Sequence, residues 1–299
     1  MKNTHQLLDL HHRTSCFNLR NIIETLAVIE GKKPVMRLVV SDEAHNFVIP
    51  ALESFNLKIA RSDFRQKTAF TTSLGDTYTE STDFNDPDGG EYSLMVSRTE
   101  EIAVRAMQIE DYDENPTALG KLLGYPNCCT SSYEKIDEHT DWLMVFLSNT
   151  PFKNIYSYKA NRIAYLFNEK SLFFDYFPCS LSCEKTADIT SFIESLLTKY
   201  GMKDILEDYI EEMMHPILIL GGVVVQIKQS QFNESTNTIT FDLSKSRLHD
   251  WKVRMNADEY CVWDSNKITI NKNVMEFYKD STLLGTITQS KYERLMIFQ

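Results

Sequence analysis

The segments LLGYPNCC (residues 122–129) and YFPCSLSC (residues 176–183) carry four of the six cysteines of this chain. In each segment an aromatic residue and a proline precede the first cysteine. Proline is tolerated in the first turn of a helix, where its missing N–H would have no partner. We therefore expect both segments to begin helices with thiols in the first turn, where the helix dipole favours thiolate over thiol. Two such helix starts could together hold a metal.

The spacing of the two cysteines within each segment indicates which kind of metal site they could form. Cys179 and Cys183 are four residues apart, which predicts two sulfurs on one face of a helix. Cys128 and Cys129 are adjacent, and on a helix their side chains diverge by about a quarter turn or more. A single tetrahedral ion uses such a pair with difficulty, whereas a polynuclear cluster spans a larger site. The pattern favours an iron–sulfur cluster of the 4Fe-4S type bound by all four cysteines, with zinc as the alternative.

Other interpretations of the cysteines stay open. The chain could be a zinc-stabilised binding module without catalysis. It could also be a thiol enzyme in which Cys179 or Cys183 is the nucleophile, activated by its helix terminus. Buried free cysteine is a common and inert core residue, which is our interpretation of Cys16 and Cys261.

Three polar residues are expected beside the sulfurs, namely Asn161, Ser180 and Tyr176. Hydrogen bonds from such groups to a thiolate tune metal sites. Asn161 is equally compatible with a helix surface and Ser180 with a first-turn cap. The seven histidines form no ligand pattern.

The amino-acid composition limits the classes of protein to which this chain can belong. The 299 residues are 42% hydrophobic and 24% charged, which is typical of a globular chain, and the net charge of −11 argues against a nucleic-acid partner. No apolar run approaches the roughly 20 residues that cross a bilayer. The first residues lack the apolar core of a signal peptide, so we expect a cytoplasmic protein. We expect an iron–sulfur-dependent enzyme of specialised metabolism that carries out redox or sulfur-handling chemistry on a small polar molecule or peptide. The sequence does not indicate its oligomeric state.

Hydrophobic periodicity predicts an α+β fold. A small α/β layer spans residues 1–115, a helical region with the cysteines spans residues 116–215, and an antiparallel β-rich region spans residues 216–299. In the first region we expect a helix over residues 14–29 and a β-α-β succession from residue 35 to residue 60. The acidic, turn-rich residues 77–91 are predicted to form an exposed loop.

The motif residues also resemble a known family. LLGYPNCC (122–129), NRIA (161–164) and YFPCSLSC (176–183) are similar to the signature of an uncharacterised microbial family, domain of unknown function 483. The resemblance covers roughly residues 119–189. The family pattern has a histidine where this chain has Tyr176, so a histidine ligand there is lost. The resemblance implies a shared site and no established activity.

Overall fold

The computed structural model describes residues 2–14, 17–71, 77–82, 90–112, 115–136, 142–167, 173–220, 223–250, 264–290 and 293–299. The described residues form a mixed α+β fold, as predicted. The chain divides into two compact units. The first unit comprises Met1–Trp142, Leu172–Cys179 and Glu184–Leu206, and the second comprises Leu143–Ser171, Ser180–Cys183 and Glu207–Gln299.

The α-helices of the described chain follow one another in this order: α1 Lys2–Arg13, α2 Leu19–Ile29, α3 Asp42–Glu53, α4 Glu100–Tyr112, α5 Pro116–Leu122, α6 Asn127–Tyr133, α7 Trp142–Asn149, α8 Glu184–Lys199 and α9 Lys203–Met214. None of them is long and apolar enough to cross a membrane. The helix predicted over residues 14–29 begins only at Leu19, because the side chain of Asn18 caps it in a reciprocal capping box with Asn21. The preceding helix α1 was not predicted.

The strands of the first unit form one sheet and one hairpin from β1 Val35–Val40, β2 Lys58–Arg61, β3 Arg65–Thr71, β4 Thr77–Thr82 and β5 Tyr92–Ser97. The sheet has the order β1-β5-β2, with β5 antiparallel to both neighbours. Helix α3, capped by Ser41, connects β1 to β2. The predicted β-α-β succession is therefore present, with β5 inserted between its two strands.

The prediction of a loop over residues 77–91 is wrong for the first part of this segment. Thr77–Thr82 is strand β4 and pairs with β3, whereas residues 83–89 lie outside the described chain. The acidic and turn-forming residues of this segment lie mostly after Thr82, so its first part was wrongly included in the predicted loop.

The second unit contains two five-stranded sheets. Their strands are β6 Ile155–Tyr156, β7 Ile217–Leu220, β8 Val223–Gln226, β9 Gln231–Asn233, β10 Thr238–Thr240, β11 Arg247–Asp250, β12 Lys267–Asn271, β13 Val274–Lys279, β14 Thr282–Thr288 and β15 Glu293–Phe298. One sheet has the order β14-β13-β12-β10-β9 and is antiparallel throughout, as predicted. The other has the order β11-β8-β7-β15-β6, in which β6 pairs with β15 in parallel.

Apolar side chains from both sheets share one core in this unit. Leu218 and Leu295 of one sheet and Ile268 and Phe277 of the other belong to the same cluster and are buried. In strands β12 and β13 buried and more exposed residues alternate, as the two faces of a half-buried sheet require. Packing of one apolar face against the other therefore stabilises this unit.

We expect Ile268→Ala to lower the free energy of unfolding by about 2–5 kcal/mol, because it leaves a cavity in this core. Leu283→Ala is the matched control, since Leu283 lies on β14 and is 50% exposed; its effect should stay within about 0.5 kcal/mol. Denaturant titration followed by circular dichroism measures both. Equal losses in the two variants would contradict the assignment of the core.

Candidate metal centre

The first cysteine pair lies in the first turn of α6, as predicted. Pro126 occupies the N-cap position, and Cys128 and Cys129 are the second and third residues of the helix Asn127–Tyr133. Cys128 is exposed and Cys129 is buried. Their Sγ atoms are nevertheless only 3.9 Å apart. The two sulfurs are therefore close enough to bind one metal, although their residues are adjacent on the helix.

Two glycines place α6 against α5. Gly124, between the two helices, has φ = +79°, a conformation that residues with a Cβ rarely adopt. A Cβ on Gly120 would lie 2.7 Å from Cγ2 of Thr130. Glycine at position 120 thus allows α5 to approach α6 closely, just ahead of the cysteine pair.

The second cysteine pair does not lie on a helix, which corrects the prediction for this segment. Helix α8 begins at Glu184, one residue after Cys183. Cys183 instead ends a turn that directly follows Cys179, in which the N–H of Cys183 donates to the carbonyl of Ser180 at 3.2 Å. The hydroxyl of Ser180 also accepts from the N–H of Ser182 at 3.3 Å. Serine side chains that bond the nearby backbone compete with helix formation, which explains the late start of α8.

An aromatic stack holds the segment before Cys179 against α6. The ring of Phe177 stacks on Tyr133, the last residue of α6, with ring centroids 5.9 Å apart. Its ring centroid also lies 5.2 Å from that of Trp142, at the start of α7. Such aromatic pairs stabilise a fold by about 0.5–1.5 kcal/mol more than the burial of their apolar surface alone would. The stack keeps Pro178 and Cys179 close to the helix that carries the first cysteine pair.

The structure brings the four predicted cysteines together. The Sγ atoms of Cys128, Cys129, Cys179 and Cys183 all lie within 4.8 Å of one another. Cys183 is buried and Cys179 is half-buried, and none of the four forms a disulfide. Thiolate sulfurs are strong ligands for zinc and for iron. The group can therefore hold a metal.

Thr186 is a neighbour of the sulfurs that the sequence did not indicate. Its Oγ1 lies 3.7 Å from Sγ of Cys129. The hydroxyl of Tyr176 donates to this same oxygen at 3.1 Å. Since the oxygen of Thr186 accepts from Tyr176, its own proton can be donated to the sulfur. A threonine in the first turn of a helix is too common for its sequence position to reveal this contact.

Asn161 and Ser180, which were also predicted beside the sulfurs, form hydrogen bonds with the backbone. The side-chain amide of Asn161 donates to the carbonyl of Met213 at 2.7 Å, and its oxygen accepts from the N–H of Ala164 at 3.4 Å. Ser180 shapes the turn between Cys179 and Cys183. Cys16 and Cys261 lie outside the described residues.

A group of half-buried charges adjoins the cysteine segments. The hydroxyl of Tyr125 donates to Asp175 at 3.1 Å, and Arg20 forms an ion pair with Asp175 at 2.9 Å. Burial opposes ionisation of Asp175, but Arg20, Arg37 and Lys33 together hold the pKa of this carboxyl below its usual value. Burial, reinforced by the charge of Asp175, raises the pKa of Tyr125 well above its ordinary value. Tyr125 therefore stays protonated and acts as a hydrogen-bond donor.

Comparisons with curated proteins and with solved structures found no match. Residues 93–214 match the family model described as protein of unknown function (DUF483). The matched residues include both cysteine segments, which confirms the resemblance predicted from the motifs. The part of the chain that carries the four cysteines is thus similar to the DUF483 family of proteins of unknown function.

Proposed function

We propose that the four cysteines hold one tetrahedral zinc ion and that the chain is a zinc-stabilised binding protein. The observation that carries this proposal is the separation of the sulfurs, all of which lie within 4.8 Å of one another. Zinc bonds thiolate at about 2.3 Å, so four sulfurs around one ion are roughly 3.8 Å apart. The pair Cys128 and Cys129, at 3.9 Å, already has this separation.

To bind a single ion, the four sulfurs would have to move only slightly closer together. Four sulfurs that bind a cubic iron–sulfur cluster must stand farther apart, because the irons and sulfides of the cluster lie between them. The sequence favoured such a cluster because adjacent cysteines on a helix diverge, and the short distance between the sulfurs of Cys128 and Cys129 removes that reason. The iron–sulfur enzyme stays the alternative prediction, with Cys128, Cys129, Cys179 and Cys183 as its ligands.

The number of ligands supports a structural role for the ion. Four protein thiolates complete a tetrahedral coordination sphere, whereas catalytic zinc keeps one position open for water or substrate. The ion would tie α6 to the turn of residues 179–183, two segments that are far apart along the chain. Because these ligands converge only in the folded chain, the free energy of metal binding adds to the stability of the fold.

We expect the protein, purified anaerobically from cells supplied with both metals, to be colourless and to contain one zinc ion per chain. Plasma emission spectroscopy and an assay for acid-labile sulfide measure the composition. Replacement of zinc by Co²⁺ should give the ligand-field bands of tetrahedral cobalt and the near-ultraviolet charge-transfer bands of cobalt–thiolate bonds. A brown protein with iron and stoichiometric sulfide would refute the proposal in favour of the iron–sulfur alternative. A metal-free protein with one rapidly alkylated cysteine would instead support the thiol enzyme.

We expect Cys179→Ser and Cys183→Ser each to abolish stoichiometric zinc binding, because a serine hydroxyl does not replace a thiolate ligand at neutral pH. Cys261→Ser is the control and should retain one zinc ion per chain. Metal content after gel filtration and the melting temperature by circular dichroism report the outcome. Retention of full zinc content by either of the first two variants contradicts a four-sulfur site.

The hydroxyl of Thr186 should strengthen metal binding by donating to Sγ of Cys129. Loss of such a partner typically costs about 10–100-fold in metal affinity. We therefore expect Thr186→Val to weaken zinc binding by this factor in competition with a chromophoric chelator. Thr198→Val is the matched control, since Thr198 lies on the same helix, is exposed and bonds the carbonyl of Glu194. If the two variants bind zinc equally well, Thr186 does not support the site.

A further inference from the structure

One of the four cysteines is open to solvent, and the other three are shielded to different degrees. Cys128 is exposed, whereas Cys179 is half-buried and Cys129 and Cys183 are buried. An oxidant that diffuses in water therefore reaches Cys128 first. Exposed cysteines that stand beside a second cysteine are typical sites of reversible oxidation, because the second sulfur converts the first product to a disulfide.

The sulfur of Cys129 is a poor disulfide partner for Cys128, although the two Sγ atoms are only 3.9 Å apart. The peptide bond that joins these residues is trans, which sets their Cα atoms about 3.8 Å from each other. Disulfides usually span Cα separations of about 4.4–6.8 Å. A bond between these neighbours would therefore distort the first turn of α6, in which both residues lie.

Cys179 is a better partner for Cys128. Its Sγ belongs to the group of sulfurs that all lie within 4.8 Å of one another. The stacking of Phe177 on Tyr133 holds the segment before it against α6, the helix that carries Cys128. Cys179 is also more exposed than Cys183. A disulfide needs an S–S distance of about 2.05 Å, and a change of rotamer is less restricted in these two side chains than in a packed core.

We infer that Cys128 is a site of oxidation by peroxides and that the product is a disulfide between Cys128 and Cys179. The thiolate of Cys128 attacks one oxygen of hydrogen peroxide, the O–O bond breaks, and a sulfenic acid forms as hydroxide leaves. The thiolate of Cys179 then attacks the sulfur of the sulfenic acid, the S–O bond breaks, and a second hydroxide leaves. The two thiolates together lose two electrons, which the peroxide accepts.

This disulfide would remove two ligands from the proposed zinc site, and in this respect the inference rests on the proposed function. A zinc-bound cysteine is already a thiolate, which is the form that attacks peroxide. After oxidation only Cys129 and Cys183 would remain as sulfur ligands, and two are too few for a closed tetrahedral site. The ion is then released, while the disulfide keeps α6 tied to the segment of Cys179. The cysteine group thereby acts as a reversible, peroxide-sensitive switch of metal binding.

Peroxide titration of the full-length protein tests the inference. Hydrogen peroxide is added to the reduced protein, the remaining thiols are alkylated, and unreduced peptides are mapped by tandem mass spectrometry. We expect a disulfide between Cys128 and Cys179 as the main product, with release of zinc to a chromophoric chelator at the same rate. Dithiothreitol should restore both thiols and the capacity to bind zinc.

The position of the disulfide decides the outcome. A main product that joins Cys128 to Cys129, or Cys179 to Cys183, overturns the inference, as does a protein whose four thiols all survive the peroxide. Metal analysis of the reduced protein, made before peroxide is added, judges the zinc proposal by itself. The disulfide is read from the sulfurs, so its position judges this inference even if the reduced protein carries iron or no metal.

Two variants then separate the two steps of the reaction. Cys128→Ser should lose the disulfide, because it lacks the sulfur that attacks peroxide. Cys179→Ser should retain the first step and accumulate a sulfenic acid at Cys128, which dimedone traps. Cys261→Ser is the control and should form the disulfide as fast as the unaltered chain, because Cys261 is not one of the four clustered cysteines. Trapping of dimedone at another cysteine of the group, in preference to Cys128, contradicts the assigned order of attack.

Discussion

The convergence of four sulfurs is the constraint on which the cysteine region depends. Neutral thiols attract one another only weakly, and thiolates repel, so four Sγ atoms within 4.8 Å need support from the surrounding chain. Part of that support is visible in the packing. Gly120 admits a close approach of α5 to α6, and the ring of Phe177 is stacked between Tyr133 and Trp142. A metal ion, as proposed, would supply the attraction that the sulfurs lack among themselves.

One side chain connects the sulfur group with a small cavity of the first unit, whose lining includes Glu24, Lys33 and Tyr125. The ring of Tyr176 lines the cavity, and its hydroxyl donates to Thr186, which lies beside Sγ of Cys129. Tyr176 also packs on Tyr125, with ring centroids 5.0 Å apart. Tyr125, Tyr176, Thr186 and the sulfur of Cys129 therefore form one continuous chain of contacts.

The sequence predicted those parts of the fold that local rules control. Helix α3 lies between β1 and β2, as the predicted β-α-β succession requires, because hydrophobic periodicity and capping act over a few residues. The start of α6 after Pro126 was predicted for the same reason. Strand β4 was mistaken for a loop, since only its pairing with β3 makes it a strand. The spacing of Cys179 and Cys183 was taken for one helical turn, but a four-residue separation also fits a tight turn, and Ser180 favours the latter.

By itself, the sequence determined that the chain is an α+β protein and that the cysteines of two distant motifs belong to one site. The repeated order of aromatic residue, proline and cysteine carries that information, because it depends only on neighbouring residues. Only the tertiary structure decided how far apart the sulfurs lie, and the proposal of a single ion rests on that distance. It likewise brought Glu24 and Lys33 together in one cavity wall and Thr186 to Cys129. Such distances arise from the packing of elements that are remote in the chain, and no local pattern of residues encodes them.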